Sequence, residues 1–168
     1  SFNLKKSYEE LEEKVIERTA DLVKSQATLT TVLSNAPLIL FSADTNGIIT
    51  LSEGQSLSLI GIKSGQAVGV SMYEMYEDNP EVLNAIKSAL NGEIKILKIQ
   101  LEQFTFEVNC SPLYNINNKI IGLISLYFDV TENLKAQEII RSEKEKSDRL
   151  LLNILPEKIA NELKENGF

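Results

Sequence analysis

No histidine occurs anywhere in the 168 residues, and tryptophan is missing as well. The first absence removes the commonest general base, the usual proximal haem ligand and the phosphoacceptor of an ordinary sensor kinase. Cysteine occurs once, as Cys110, so no internal disulfide can close. One thiol without an imidazole also falls short of the ligand count of a structural zinc site. Positive charge is in deficit, with 17 Lys and Arg against 24 Asp and Glu and a formal charge of −7. That balance argues against a nucleic-acid surface, which needs clustered cations to hold phosphates. No stretch of eighteen apolar residues and no signal peptide stands out. The chain therefore reads as cytoplasmic, with neutral or protein partners and no membrane contact of its own. Both ends look cut within helices, so any membrane tether would lie upstream.

Catalytic constellations are equally scarce. Glu9 with Glu10, Glu12 with Glu13, and Glu77 with Asp78 are acidic neighbours, but nothing gathers them into a concave site, and charged residues of this kind are ordinarily solvated. Gly61, Gly65 and Gly69 recur every four residues in GIKSGQAVG. That spacing matches neither GxxxxGK[ST] nor GxGxxG, so turn duty explains it better than phosphate binding. The expectation is a stretch with no catalytic residues and no metal.

What is present begins with a helical pattern over residues 1–32. With Leu4 at position d of a heptad, Tyr8, Val15, Leu22 and Leu29 fall at a, and Leu11, Arg18, Ser25 and Val32 at d. The seam is apolar apart from Arg18 and Ser25, while Glu9, Glu10, Glu12, Glu13, Lys14 and Glu17 lie off it. A parallel homodimer follows, with Leu11, Val15, Leu22, Leu29 and Val32 as its interface. A lone helix packed on its own domain is the simpler alternative.

Beyond Pro37 the period changes from helix to strand. LILFSAD (38–44) and IITLS (48–52) flank Thr45-Asn46-Gly47, and Asn-Gly between β-branched runs signals a hairpin. Short helices fill 56–92, the last being PEVLNAIKSALNG, with Pro80 at its start, Gly92 at its end, and Val82, Leu83, Ile86, Ala89 and Leu90 as its buried stripe. Three more strands occupy 93–101, 104–114 and 119–129. Within the second, Phe104, Phe106, Val108 and Cys110 share one face and Thr105, Glu107, Asn109 and Ser111 the other. Five antiparallel strands with helices inserted after strand 2 make an α+β fold flanked by helices.

In this order, NAPLILFSADTNGIIT, NPEVLNAIKSALNGE, FEVNCSPLYN and FDVTE resemble a PAS domain over residues 33–131. The resemblance implies a sensing and dimerisation module that binds a small ligand, a chromophore or nothing. Asp129, Thr131 and Glu132 are similar to the family's DIT-type junction between the last strand and the outgoing helix; Asp129 is placed to cap that helix, with Glu132 reaching back. LOV-type flavin chemistry needs a cysteine in a helical GxNCRFLQ-like motif, whereas Cys110 lies in a strand. With no histidine-ligated haem either, the expectation is no bound cofactor, or an unidentified small ligand between the sheet and helices carrying Met72, Met75, Tyr76 and Ile86, facing Phe106. Phenylalanines at such positions fill a core more often than they line a cavity.

The outgoing helix, 132–155, carries two competing seams. Leu134, Gln137, Arg141, Lys144, Asp148, Leu151 and Leu155 form one; Ala136, Ile140, Glu143, Ser147, Leu150 and Ile154 form the other. They differ by one residue, about 100° of rotation. A rigid spacer is the plainer reading. Residues 150–167, LLLNILPEKIANELKENG, resemble the LLxxILPxxIAxxLKxG signature that precedes the catalytic domain of many class III nucleotide cyclases. Leu151, Leu152, Ile154, Leu155, Pro156, Ile159, Ala160, Leu163, Lys164 and Gly167 match, with one extra residue before the glycine. Proline disfavours helical geometry at the residue before it, so a kink or restart is expected at Pro156. Residues 156–168 then open a cyclase linker, and Leu155 and Pro156 join Asp129, Thr131 and Glu132 as a signal junction. The resemblance implies a downstream cyclase domain as partner, making cyclic nucleotide from ATP or GTP. The alternatives are an input domain of a sensor histidine kinase or diguanylate cyclase, and a ligand-free scaffold.

Overall fold

The computed structural model describes residues 1–166, with the side chains of Leu155, Pro156, Ala160, Leu163 and Lys164 left outside the description. The chain divides into two compact units, Ser1–Asp129 and the remainder from Val130.

The first unit opens with α1, Phe2–Asn35. Pro37 ends it by forcing Ala36 into extended geometry, φ −70° and ψ 133°. Five strands follow: β1 (Ile39–Asp44), β2 (Ile49–Glu53), β3 (Lys95–Leu101), β4 (Phe104–Tyr114) and β5 (Ile120–Asp129). They form one antiparallel sheet in the order β2-β1-β5-β4-β3. The β1–β2 turn is held by Asp44, whose Oδ1 accepts from the Asn46 and Ile48 amides at 2.9 and 3.0 Å. Asn115 repeats the device between β4 and β5, accepting from Asn117 and Lys119 at 3.0 Å. Aspartate and asparagine suit these positions because their short side chains reach amides two to four residues on.

Between β2 and β3 run a 3₁₀ turn (Gln55–Ile60), the short α2 (Met72–Met75) and α3 (Pro80–Leu90). Asn79 caps α3, its Oδ1 accepting from the Val82 amide at 3.2 Å, with Pro80 in the first helical position, where its missing N–H costs nothing. The buried face of α3 is Val82, Ala85, Ile86 and Ala89. Leu83 and Leu90, expected to be buried, are half-buried, and Ala85 takes a place the sequence stripe left out.

One hydrophobic core lies between the sheet and these helices. Strand parity fixes its sheet side: Phe106, Val108 and Cys110 on β4 and Leu123, Ser125 and Tyr127 on β5 are fully buried. β2 would be an open edge, but residues 61–70 form a strap over it, bonded to the strand from Gly65 onward. Gly65 donates to the Ser52 carbonyl at 2.7 Å, Gly69 to Ile49 at 2.8 Å, and Ile49 to Val70 at 2.9 Å. Gly61, Gly65 and Gly69 all have positive φ, between 72° and 88°, so their four-residue repeat serves this strap's path along the strand.

In the second unit α4 spans Thr131–Glu165 as one helix, without the restart expected at Pro156. Its N-cap position is held by Val130, one residue after Asp129. Glu132 pairs forward with Lys135 Nζ at 2.9 Å, and Arg141 reaches Glu138 at 2.8 Å and Glu145 at 3.9 Å. Among the described residues, no helix is long and apolar enough to cross a membrane.

Candidate functional site

The five residues read as lining a pocket come together in the core. Met72, Ile86 and Phe106 are fully buried, Tyr76 nearly so, and Met75 packs against the same cluster. Tyr127 is the hub that the sequence reading missed. Its ring meets Phe41 edge-on at 5.4 Å, Phe106 edge-on at 6.5 Å and Tyr76 in a stack at 6.5 Å. The Tyr76 hydroxyl donates to the Tyr127 hydroxyl oxygen at 2.9 Å. Tyr127 was legible as inward-facing from its parity with Leu123, but its partner Tyr76, just past the end of α2, lies 51 residues away and leaves no local signal.

A polar row crosses the inner sheet face beside this hub. Ser52, Phe41, Ser125, Cys110 and Lys95 are successive cross-strand neighbours. Cys110 Sγ and Ser125 Oγ are 3.2 Å apart. Ser52 Oγ is buried and has no hydrogen-bond partner among the described residues. Burial governs the titration of this region: it pushes Tyr76 up to about 12 and raises Cys110. Tyr127 rises well above the ordinary tyrosine range, first through burial and then through Tyr76 beside it. Neutral, protonated groups are what an apolar interior holds. Such an interior offers a ligand shape and a few hydroxyl contacts, and no nucleophile or general base ready at neutral pH.

Several concavities lie elsewhere on the surface. One is bounded by Ser58, Leu59, Ile60, Gly61, Glu102, Gln103 and Phe104, and others follow the grooves of α1. No cluster of three metal-ligating side chains occurs among the described residues.

The residues assigned to a dimer seam, Leu11, Val15, Leu22, Leu29 and Val32, lie along α1, and each is more than half exposed. No residue of α1 is buried. Of the signal junction, Asp129 ends β5 and Thr131 and Glu132 open α4. The side chains of Leu155 and Pro156 lie outside the described residues, as does Gly167 of the cyclase-like signature.

The profile of the PAS fold family matches residues 33–135, more than half of the chain. The chain belongs to the PAS family. A PAS domain from Colwellia psychrerythraea superposes with a TM-score of 0.51 at 18% identity, over 66% of this chain and 98% of that one. An RNA-binding light-oxygen-voltage receptor gives 0.55 at 18% identity, over 74% of this chain and 38% of the receptor. The Vibrio cholerae VqmA dimer gives 0.52 at 17% identity, over 66% and 52%. At these identities the likeness is one of fold. No curated protein matches the chain. The PAS core thus comprises the sheet, the strap and α2–α3, with α1 leading in.

Proposed function

We propose that this PAS domain is the sensing and dimerisation module of a nucleotide cyclase. Two copies pair in parallel through α1, and the pairing passes down α4 to cyclase domains that turn ATP or GTP into a cyclic monophosphate. The module itself catalyses nothing. The observation that carries the dimer is α1, a 34-residue helix with no buried residue and an exposed apolar seam. Helices in water rely on packing one apolar face, and a seam at heptad spacing is suited to a second copy of itself. Support for the cyclase comes from residues 150–167 and their likeness to the cyclase linker signature.

Sedimentation velocity over a concentration series tests the pairing; a dimer at micromolar concentration is the expected result, and a monomer at high micromolar concentration refutes it. Assaying the full-length protein for cyclic AMP and cyclic GMP tests the output. A histidine kinase or diguanylate cyclase activity there would replace the cyclase reading while leaving the dimer intact.

A second reading, a scaffold whose core holds no ligand, is favoured by the packing around Tyr127. A thermal-shift screen against metabolites separates the two, because a ligand present at 100 times its Kd stabilises the fold by about 2.7 kcal/mol.

A further inference from the structure

One carboxylate joins the incoming helix to the strap that covers β2. Glu53 Oε2 accepts a hydrogen bond from Ser34 Oγ, in the last turn of α1, at 3.2 Å. The same oxygen accepts from Ser64 Oγ, in the strap, at 2.6 Å. These three residues are 19 and 11 positions apart and belong to three different elements. Around them the backbone already ties helix exit to strand end. The Gln55 amide donates to the Ala36 carbonyl at 2.9 Å, and the Ser56 amide to Leu38 at 3.2 Å.

We infer that Glu53 is a latch coupling residues 61–70 to the end of α1, so that lifting the strap from β2 frees the last turn of the helix. The two bonds differ in strength. At 2.6 Å the Ser64 bond lies in the range of short charge-assisted O–H···O⁻ bonds, whereas 3.2 Å is long for a hydroxyl donor. Ser64 therefore holds the carboxylate in place, and Ser34 depends on that placement. The strap is the element best suited to move. Its contacts to β2 are a few backbone bonds and the Ser64–Glu53 bond, and of residues 61–70 only Ala67 is buried, with Ile62 partly buried against the core. Ala67 reaches the core cluster that also contains Leu57, so a change in core packing has a route to the strap and from there to α1. The latch belongs to the PAS domain and goes beyond the cyclase reading; it stands whichever output domain follows.

Amide hydrogen exchange by NMR on the 168-residue chain tests this. Ser64→Ala is expected to speed exchange at Ser34, Asn35 and Ala36 by about threefold to tenfold, the net scale of one ordinary hydrogen bond, although Ser64 lies in the strap and bonds to Glu53. Ser34→Ala should speed exchange at Gly65 and Gly69 by a smaller factor. In a Glu53→Ala background neither serine change should have a further effect. Acceleration confined to the substituted element overturns the latch, as does slower exchange at the end of α1. Uniform acceleration through β4 and β5 also overturns it, because that marks a global loss of stability. None of these results bears on dimerisation or on the output enzyme, so the latch and the cyclase reading fail separately.

Discussion

Tyr76 and Tyr127 share one hydrogen bond inside an aromatic cluster, and that single bond decides what the pair is worth. Tyr76→Phe leaves the Tyr127 hydroxyl buried without the partner it bonds, at a cost of about 1–3 kcal/mol. Replacing both tyrosines by Phe should cost less than the two single changes added together, since no unpaired hydroxyl then remains; denaturant titration of the four proteins measures this. The same burial makes stability fall in alkali. In the unfolded chain cysteine and tyrosine release their protons near pH 8.5 and 10, whereas Cys110, Tyr76 and Tyr127 hold theirs to higher pH in the fold. Stability is thus fully present below the unfolded values and is lost as pH rises. Between pH 10 and about 12 the buried Tyr76 withdraws stability on the order of 3 kcal/mol. The doubly Phe-substituted protein should lose stability less steeply above pH 10, and an unchanged alkaline limb would contradict this account. Ser52 makes the opposite case. Its buried hydroxyl lacks a partner among the described residues, so Ser52→Ala should be neutral or stabilising by about 1 kcal/mol, whereas Ser125→Ala, which strips Cys110 of its neighbour, should destabilise.

At the level of elements, the pattern of residues was most readable where one period dominates. The alternation FTFEVNC placed Phe106, Val108 and Cys110 inward, and Pro80 and Gly92 bracketed α3, because strand parity and helix punctuation are local properties. Val130, next to Asp129, holds the N-cap position of α4; which of two adjacent residues takes a helix end is beyond what residue type alone resolves. The strap was not legible. GIKSGQAVG read as turns, and its pairing with β2 depends on backbone groups that carry no side-chain signature. Gly54 belongs to the same category. Its φ is 118°, and a Cβ there would run into the carbonyl oxygen of Leu38, so strand β2 and the exit from α1 approach as closely as they do only because that atom is missing. Gly54→Ala should destabilise by about 3 kcal/mol, combining backbone strain with the clash. Thermal melts would register this as a large drop in Tm, and a near-normal Tm would mean the junction of α1 with β2 is softer than its geometry implies.

For the whole molecule the proposed pairing of long helices carries most, since α1 runs for 34 residues without burying any of them. Arg18 and Ser25 interrupt the seam at d positions, where polar residues lower stability while fixing register. Arg18→Leu or Ser25→Leu should therefore tighten self-association, visible as a dimer that persists to lower concentration in sedimentation; looser association would place the true seam on another face. α4 presents the complementary problem. Ion pairs such as Arg141 with Glu138 and Lys146 with Glu143 hold its middle as an isolated helix would be held, at about 0.2–0.5 kcal/mol each, and leave neither of its two seams strongly apolar there. Two registers of similar energy can be exchanged by a small bias, and a ligand or a core rearrangement shifts such an equilibrium only through its different affinity for the two states. Single cysteines placed in turn from Leu134 to Ile154 in a Cys110→Ser background read the register directly by disulfide crosslinking between copies. Strong crosslinks should move from the positions of one seam to those of the other, about 100° around the helix, when full-length protein passes between its low- and high-activity states. Identical crosslinking patterns in both states would leave α4 a fixed spacer and restrict regulation to the PAS core and α1.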